Sequence, residues 1–377
     1  MKWRLLHISK TLGLGGAERQ VVDNAKFAQE KYIPVKVAYI HGSDGLVDEL
    51  ESAQISSIRL GHVGWRGLLK AGRSLRQELR GGGNGMVTVV CHDLYTRIVL
   101  WISGVSTENI FVVAVLHGMH YDAYPAVTLR KRLLKKLHAR LLKHADRLIA
   151  VSGAVREHYN QHLGLDCRLV IPNGITQDVM EFVDKRSRRR ALSSCGKVYS
   201  LVSVGRLVHE KGFDVLLEIL KLLKEQLSFH CTIIGDGPMR GQLEAQVSKL
   251  RLTDKVTLLG SISHVDVLET LDAADLCLVT SRQEGFPLVP VESMALGVPV
   301  ISSLAGGIPE LICDGVNGFL VDRFEPAEFS EKIIKVLEDP MLYMDSSLAA
   351  IESVQAYKPG VLQARWLDAY LPTNSRT

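Results

Sequence analysis

Short apolar runs alternate with helical patterns along this chain, and the alternation occurs twice. In the first half the alternation begins with the apolar run from Leu5 to Ile8 and ends with the run from Arg168 to Ile171. It restarts after Tyr199. Strands that read as continuous apolar runs, each followed by a helix, are typical of a parallel sheet covered by helices on both faces. The sequence therefore predicts an α/β fold with two Rossmann-like domains.

The length of the chain, 377 residues, exceeds one average domain and favours two domains that each bury a core. A polar, basic segment from Asp184 to Lys197 separates the two halves. Such a segment is typical of a solvated linker or a short surface helix, although a nucleic-acid or lipid patch is an alternative. We predict an N-terminal domain over 1–172, a linker over 173–197 and a C-terminal domain over 198–355.

Composition narrows the classes of function. The net charge of +4 is too small to indicate a nucleic-acid partner. No apolar run approaches the roughly 18 residues that span a bilayer, and the first ten residues resemble a first strand rather than a signal peptide. Six scattered cysteines without C-x-x-C pairs indicate reduced thiols. We therefore predict a cytoplasmic protein.

Two carboxylates, Glu284 and Glu292, lie eight positions apart where a predicted strand is followed by a helix. Pro290 suits the first turn of that helix and Gly297 its end. We expect Glu284 in the loop and Glu292 in the first turn, with the unpaired N–H groups of the helix start between them. N–H donors suit an anion and carboxylates suit sugar hydroxyls. This stretch therefore predicts a site for a phosphorylated sugar.

Ligands of open α/β sheets bind outside the C-terminal ends of the strands, so two such domains facing each other would enclose a central cleft. In the second half, Arg206 and Lys211 share one short loop after the first strand. Two cations beside a helix N-terminus are typical of a diphosphate clamp, while an ion pair with Glu210 is the alternative for Lys211. Gly235 begins another tight loop, I-G-D-G-P, at the same edge.

The first half offers fewer candidates. Gly15 and Gly16 follow the first strand in G-L-G-G-A-E-R, which is not a dinucleotide fingerprint but lets the backbone approach a ligand closely. A plain tight turn is the alternative. His117 follows the strand from Phe111 to Leu116. A lone histidine is often structural, but the strand-end position favours a ligand contact.

Together these features resemble glycosyltransferase family 4, whose members have the GT-B fold. The resemblance covers nearly the whole chain, and its specific part is E-G-F-P-L-V-P-V-E-S-M-A-L-G-V-P-V with G-R-L-V-H-E-K-G upstream and G-G-I-P-E downstream. His209 stands where proline is common and Ser293 where alanine usually follows the second glutamate. Neither departure removes a contacting group. In this fold a C-terminal helix, here at about 356–371, commonly returns to the first domain.

The resemblance implies a retaining hexosyltransferase that uses a nucleotide-diphosphate sugar, with UDP-sugars favoured and GDP-mannose next. The acceptor would be a glycan or a lipid-linked molecule in cell-surface polysaccharide or lipopolysaccharide biosynthesis. Arg206 and Lys211 would hold the diphosphate, Glu292 the ribose hydroxyls, and Glu284 the donor sugar.

The resemblance also implies roles for neighbouring residues. His117, with Glu284, would belong to the catalytic set and contact the sugar, and Gly16 would lie close to the diphosphate. The remaining substrate-binding residues would be Gly15, Gly235, Gly285, Phe286, Pro287 and Leu288. The family is typically metal-independent and the chain has no D-x-D motif, so we expect no cofactor or metal site.

The sequence gives less specific signals for the acceptor-binding site. The segment from Leu129 to Lys143 carries a leucine stripe, and the rest of its surface is basic without an acidic residue. This pattern fits two arrangements equally well. The helix could lie on an anionic membrane surface, with the enzyme peripheral on the inner face of the membrane, or it could pack on the core with a solvated basic face. A sugar-nucleotide epimerase of similar fold and a non-catalytic nucleotide-sugar-binding partner are the alternative functions.

Overall fold

The computed structural model describes residues 3–13, 15–42, 44–62, 64–81, 85–106, 108–119, 129–185, 198–322 and 325–372. Its internal contacts divide the chain into two units. The first unit comprises Met1–Gly174 and Pro359–Thr377, and the second comprises Ile175–Lys358. Part of the predicted linker, Gln177–Lys185, is a helix of the second unit, and residues 186–197 lie outside the described residues.

The first unit is built on a seven-stranded sheet in which every pairing is parallel. The order of the strands is β3-β2-β1-β4-β5-β6-β7. The strands are β1 Trp3–Ser9, β2 Val35–Tyr39, β3 Ser56–Arg59, β4 Met86–Cys91, β5 Ile110–Leu116, β6 Arg147–Ala150 and β7 Leu169–Val170. The helices are α1 Gly16–Glu30, α2 Val47–Ser52, α3 Trp65–Gly81, α4 Leu94–Ser103, α5 Leu129–Lys143, α6 Gly153–Leu163 and α14 Val361–Tyr370.

Local sequence explains where helices of this unit begin and end. The Asp93 side chain accepts a hydrogen bond from the backbone N–H of Thr96 at the start of α4, and Ser152 caps α6 in the same way. Such caps satisfy one of the N–H groups that a helix start leaves unpaired. Both helices end at a glycine with positive φ, 58° at Gly104 and 60° at Gly164, as in left-handed helix ends.

The C-terminal helix α14 packs in the first unit, as the fold class predicts. Trp366 Nε1 donates to the carbonyl oxygen of Pro172 at 3.1 Å, and Asn24 Nδ2 donates to the hydroxyl of Tyr370 at 3.0 Å. The Tyr370 carbonyl oxygen accepts from Thr88 Oγ1 at 2.8 Å. Both aromatic side chains are buried. They therefore anchor α14 by packing.

The second unit repeats the plan with six parallel strands in the order β10-β9-β8-β11-β12-β13. The strands are β8 Tyr199–Val204, β9 Phe229–Ile234, β10 Val256–Gly260, β11 Leu276–Val279, β12 Val300–Ser303 and β13 Phe319–Val321. The helices are α7 Gln177–Lys185, α8 Phe213–Leu223, α9 Arg240–Lys249, α10 His264–Ala273, α11 Leu288–Ala295, α12 Pro326–Glu338 and α13 Pro340–Ser353. Leucine, isoleucine and phenylalanine side chains of the strands and of α8, α9 and α12 form its core.

Both sheets contain a point where the strand order reverses. In the first unit the chain leaves β1 towards β2 on one side, and β4 and β5 lie on the other. In the second unit the same reversal separates β8 from β11. Such switch points open a crevice at the carboxyl ends of the strands, where α/β sheets bind ligands. The two Rossmann-like units confirm the predicted α/β class.

Candidate functional site

The switch point of the second unit joins two of the residues that the sequence singles out. Lys211 follows β8 and Glu284 follows β11, its neighbour in the sheet. Lys211 Nζ donates to Oε1 of Glu284 at 2.6 Å, and Ser281 Oγ donates to the same oxygen at 2.6 Å. Glu284 is only 8% exposed. The ion partner of Lys211 is therefore Glu284, whereas the sequence suggests Glu210 as the alternative.

A second ion pair fixes the loop that carries Glu284. The guanidinium of Arg282 meets both carboxylate oxygens of Asp214 at 2.8 and 2.7 Å, a bidentate arrangement. Burial raises the pKa of Asp214, but the hydrogen bond and charge of Arg282 outweigh it, and the pKa is lowered. Arg282 also donates to the carbonyl oxygens of His209 and Glu210. The loops after β8 and β11 are therefore held as one structure.

Gly212 allows these loops to approach each other. Its φ is +64°, and a Cβ at this position would lie 2.0 Å from the carbonyl oxygen of Thr280. The Thr280 hydroxyl donates to the carbonyl oxygen of Gly212 at 2.9 Å. The sequence did not single out Gly212, although a glycine directly before a helix after a strand-end loop is a signal of close approach.

Gly235, predicted to bind substrate, has a structural explanation as well. Its φ is +130°, and an added Cβ would lie 2.0 Å from the carbonyl oxygen of Gly205. Gly205 N–H in turn donates to the carbonyl of Ile234 at 2.9 Å. The glycine therefore permits contact between the loops after β8 and β9, and its role towards a ligand stays a prediction.

Glu292 lies one turn deeper in its helix than expected. Because α11 begins at Leu288, Glu292 is the fifth residue of the helix and not part of its first turn. His264 Nε2 lies 3.0 Å from Oε1 of Glu292, and since a carboxylate only accepts, the ring donates. The sequence missed His264, although Ser263 before it is a typical N-cap that marks the start of α10.

The other predicted residues of this unit are spread over the same sheet edge. Arg206 is exposed, and its side chain makes no hydrogen bond or ion pair within the described residues. Phe286 is buried and packs on Tyr357 with ring centroids 5.4 Å apart. Half-buried Gly285 precedes it, Pro287 is the N-cap residue of α11 and Leu288 is the first residue of that helix. Helix α11 therefore begins four residues after Glu284.

In the first unit, His117 lies directly after β5 and belongs to a chain of histidines. Its Nε2 is 2.9 Å from Nδ1 of His92, and His92 Nε2 is 3.0 Å from Nδ1 of His7. Burial lowers the pKa of His7 to about 3, and burial, then the neighbouring His117 and His7, lowers that of His92 well below its usual value. The sequence treated His117 as a lone histidine, although His7 lies within the first apolar run and His92 directly follows the strand that ends at Cys91.

The remaining predicted residues of the first unit open its first helix. Gly15 is the N-cap residue of α1 and Gly16 is the first residue of that helix. A Cβ at Gly15 would meet the carboxylate of Glu18 at 2.4 Å, and that side chain could move away. The structure brings both glycines to the end of β1, and their contact with a ligand stays a prediction.

Helix α5 does not bury its whole leucine stripe. His138, Leu141 and Leu142 are buried, whereas Leu133 is 59% and Leu134 45% exposed. None of the helices in the described ranges is long and apolar enough to cross a membrane. Within those ranges no group of three or more His, Cys, Asp or Glu side chains is arranged to hold a metal ion.

Comparison with known proteins decides the family. Residues 14–179 match the model described as Glycosyltransferase Family 4, and residues 184–353 match that described as Glycosyl transferases group 1. The chain belongs to glycosyltransferase family 4. Its crystal-structure neighbours include Anabaena HepE in complex with UDP-glucose, with a TM-score of 0.79 and 21% identity over 97% of this chain and 98% of that one. That likeness confirms the GT-B fold class.

Two curated proteins show what kinds of glycosyltransferase this family 4 member is similar to. D-inositol 3-phosphate glycosyltransferase of Geodermatophilus obscurus is 32% identical over 212 residues, 52% of this chain and 46% of that protein. The amylovoran biosynthesis glycosyltransferase AmsK of Erwinia amylovora is 33% identical over 162 residues, 41% of this chain and 40% of that protein. The chain spans about half the length of the first curated relatives it matches.

Proposed function

We propose that this family 4 member transfers a hexose-type sugar from a nucleotide-diphosphate sugar to a glycan or lipid-linked acceptor, with retention of configuration. A UDP-sugar is the favoured donor and GDP-mannose the next. The observation that carries the proposal is the pair of Lys211 and Glu284 at a sheet switch point. The ammonium group of Lys211, a type of group suited to phosphate oxygens, lies 2.6 Å from a carboxylate, a type of group suited to sugar hydroxyls.

The Lys211–Glu284 pair explains how the site is stable before the donor binds. A buried carboxylate without a partner is costly, and Lys211 and Ser281 satisfy Glu284 in the absence of substrate. A diphosphate would compete for the ammonium group of Lys211, and a sugar hydroxyl would then replace it on the carboxylate. The two substrate groups are therefore bound best together, as in an intact nucleotide sugar.

Glu292 supports binding of the nucleoside. His264 holds its Oε1, and its Oε2 makes no hydrogen bond within the described residues, so that oxygen can accept from ribose hydroxyls. Base recognition leaves no side-chain signature here. The preference for UDP is supported by Anabaena HepE, whose structure contains UDP-glucose, and a role in polysaccharide biosynthesis by AmsK.

We assign the chemical step to a front-face substitution. The acceptor oxygen bonds to the anomeric carbon while the bond from that carbon to the phosphate oxygen breaks, and the departing phosphate takes the acceptor proton. Arg206, Lys211 and the start of α11 offset the developing negative charge, so the step needs no metal ion. His117 is assigned to contact the transferred sugar.

The test measures release of nucleoside diphosphate from a panel of nucleotide sugars, with and without acceptors. Glu284→Gln and Arg206→Ala should each lower kcat/KM by roughly 10- to 100-fold, because each removes a charge-assisted hydrogen bond. Arg240→Ala, which removes a partly buried arginine of α9 paired with Glu244, should retain wild-type activity. Wild-type activity in both site variants would show that the site is wrongly assigned.

The same assay separates the alternative functions. A transferase releases nucleoside diphosphate in proportion to the sugar moved and needs an acceptor. A sugar-nucleotide epimerase would convert the donor without releasing diphosphate. A non-catalytic partner would give saturation-transfer signals with a nucleotide sugar but no product. Either of the last two results would overturn the proposal.

We further propose that α5 lies on the cytoplasmic face of an anionic membrane. This position would bring the enzyme to a lipid-linked acceptor. Its exposed Leu133 and Leu134 stand beside exposed Arg132 and Lys136, a combination typical of interfacial helices. Vesicles with phosphatidylserine should co-sediment the protein, and Leu133→Ser with Lys136→Glu should abolish this. Binding that is independent of anionic lipid or of these residues would contradict the membrane proposal.

A further inference from the structure

Three basic side chains form a cationic cluster at the carboxyl edge of the first sheet. Lys10 directly follows β1, His41 lies two residues after β2, and Arg59 is the last residue of β3. These strands are neighbours in the order β3-β2-β1, and β1 borders the switch point, where α/β sheets bind ligands. The sequence missed all three residues, because each belongs to a different strand end.

The backbone brings the cluster together. The His41 N–H donates to the carbonyl oxygen of Lys10 at 3.0 Å, and Arg59 pairs with Tyr39 in the register of β2 and β3. Burial, and then the charges of Lys10 and Arg59, lower the pKa of His41. A cation disfavours a protonated histidine when the two groups are close. The three side chains therefore form one electropositive surface.

Carboxylates do not neutralise this surface. Within the described residues, neither half-buried Lys10 nor exposed Arg59 makes an ion pair or a side-chain hydrogen bond. Asp93 lies near Lys10, but its carboxylate caps α4 by accepting from the Thr96 N–H at 2.9 Å, and burial raises its pKa to about 6. Lys10 Nζ lies 4.8 Å from the centre of the Tyr95 ring. The ring attracts the ammonium group but leaves its charge uncompensated.

Such a surface is suited to an anion, because ammonium and guanidinium groups bind carboxylates and phosphates through charge-assisted hydrogen bonds. We propose that Lys10, His41 and Arg59 bind a carboxylate or phosphate group of the acceptor, which is therefore an acidic sugar. The identity of this ligand as the acceptor rests on the proposed function, which assigns the donor to the second unit.

The position of the cluster fits this role. His117, assigned to the transferred sugar, follows β5, which is two strands away from β1 and thus about 10 Å from it. The cluster can hold the charged group of the acceptor while a hydroxyl of the same molecule lies near His117. The charged group itself takes no part in bond formation. It selects the acceptor and fixes its orientation.

His41 reports binding directly, because it lies beside the two permanent charges. Its pKa is measured by NMR on protein labelled with ¹⁵N-histidine, with glucuronate, glucose 6-phosphate or glucose added at constant ionic strength. At least one of the two acids should raise the pKa of His41 by about 0.5 or more, since an anion favours the imidazolium form. Glucose should not change it. A response to glucuronate alone identifies a carboxylate, and one to glucose 6-phosphate alone a phosphate.

Variants of equal charge test the site. Lys10→Gln and Arg59→Gln should each weaken binding of the responding acid by roughly fivefold or more. Arg80→Gln removes an exposed arginine from the last turn of α3 and should bind this acid like the wild-type protein. No response to either acid, or wild-type affinity in both cluster variants, overturns the inference. If one variant does not fold, the other and the wild-type titration still decide it.

Two further controls identify the ligand. If neither sugar acid binds more tightly than inorganic phosphate, the cluster holds an adventitious ion only, and the inference is overturned. UDP should bind wild-type protein and Lys10→Gln with the same Kd by calorimetry, whereas weaker binding to Lys10→Gln would assign the cluster to the donor and overturn the inference. The titrations need no turnover. Binding of a sugar acid to a protein that transfers no sugar would support the anion site and refute the proposed function.

Discussion

Acidification should destabilise the first unit because His7 is neutral when folded and takes up a proton once unfolded. Burial lowers its pKa to about 3, whereas an unfolded histidine has a pKa near 6.5. The unfolded state therefore binds more protons below pH 6.5, and stability is lost progressively as the pH falls from about 6.5 towards 3. Between pH 7 and pH 5, one such group removes about 2 kcal/mol from the free energy of unfolding.

His92 should add to this loss, since burial lowers its pKa as well. Urea unfolding followed by tryptophan fluorescence measures the effect in the relevant unit, because all four tryptophans belong to it. They are Trp3, Trp65, Trp101 and Trp366. We expect His7→Phe to retain about 2 kcal/mol more of its pH 7 stability at pH 5 than the wild-type protein does.

A matched control separates titration from general damage. Thr88→Val also changes a buried residue of the same sheet, where the Thr88 hydroxyl bonds to Trp3 and Tyr370, but it adds or removes no titrating group. It should lower stability equally at both pH values. If His7→Phe loses as much stability between pH 7 and pH 5 as the wild-type protein, the reasoning about His7 is refuted.

Three further predictions concern the second unit. Gly212→Ala should destabilise by about 2 kcal/mol or more, because its Cβ would meet a carbonyl oxygen at 2.0 Å; an unchanged Tm would contradict this. Asp214 has a lowered pKa beside Arg282, so its stabilisation is present above about pH 4 and lost as the pH falls through the folded-state pKa. Asp214→Asn should cost about 1 kcal/mol at pH 7 and flatten the acid limb of unfolding curves, and an unaltered limb would argue against it. His264→Ala frees the carboxylate of Glu292 and should weaken UDP binding severalfold by calorimetry, whereas an unchanged Kd would exclude a positioning role.

Periodicity and turn residues predicted much of the fold. Apolar runs located most strands. Because Arg206, Lys211 and Glu284 follow predicted strands, the sequence also predicted that they lie at one edge of a sheet. Two strands were missed. β3, Ser56–Arg59, reads S-S-I-R and is partly exposed at the edge of the sheet, so it lacks an apolar run. β13, Phe319–Val321, has three residues and is too short for a pattern.

The sequence also predicted incompletely where residues lie within the helices α11 and α5. The sequence placed Glu292 in the first turn because Pro290 is favoured near a helix start, but α11 begins two residues before that proline. On α5 the leucine spacing predicted a single stripe, yet Leu141 is buried and Leu133 exposed. Spacing defines which side chains share a face, whereas the neighbouring elements decide how much of that face is covered.

The sequence by itself determined the local features of this protein: the β-α alternation, the strand-end loops, and the residue types that suit phosphate and sugar hydroxyls. Tertiary structure alone decided the partners. Lys211 and Glu284 are 73 positions apart, and His7 and His92 are 85 apart. They meet because β8 lies beside β11 and β1 beside β4. Strand order arises from long-range packing, so no local pattern along the chain encodes it.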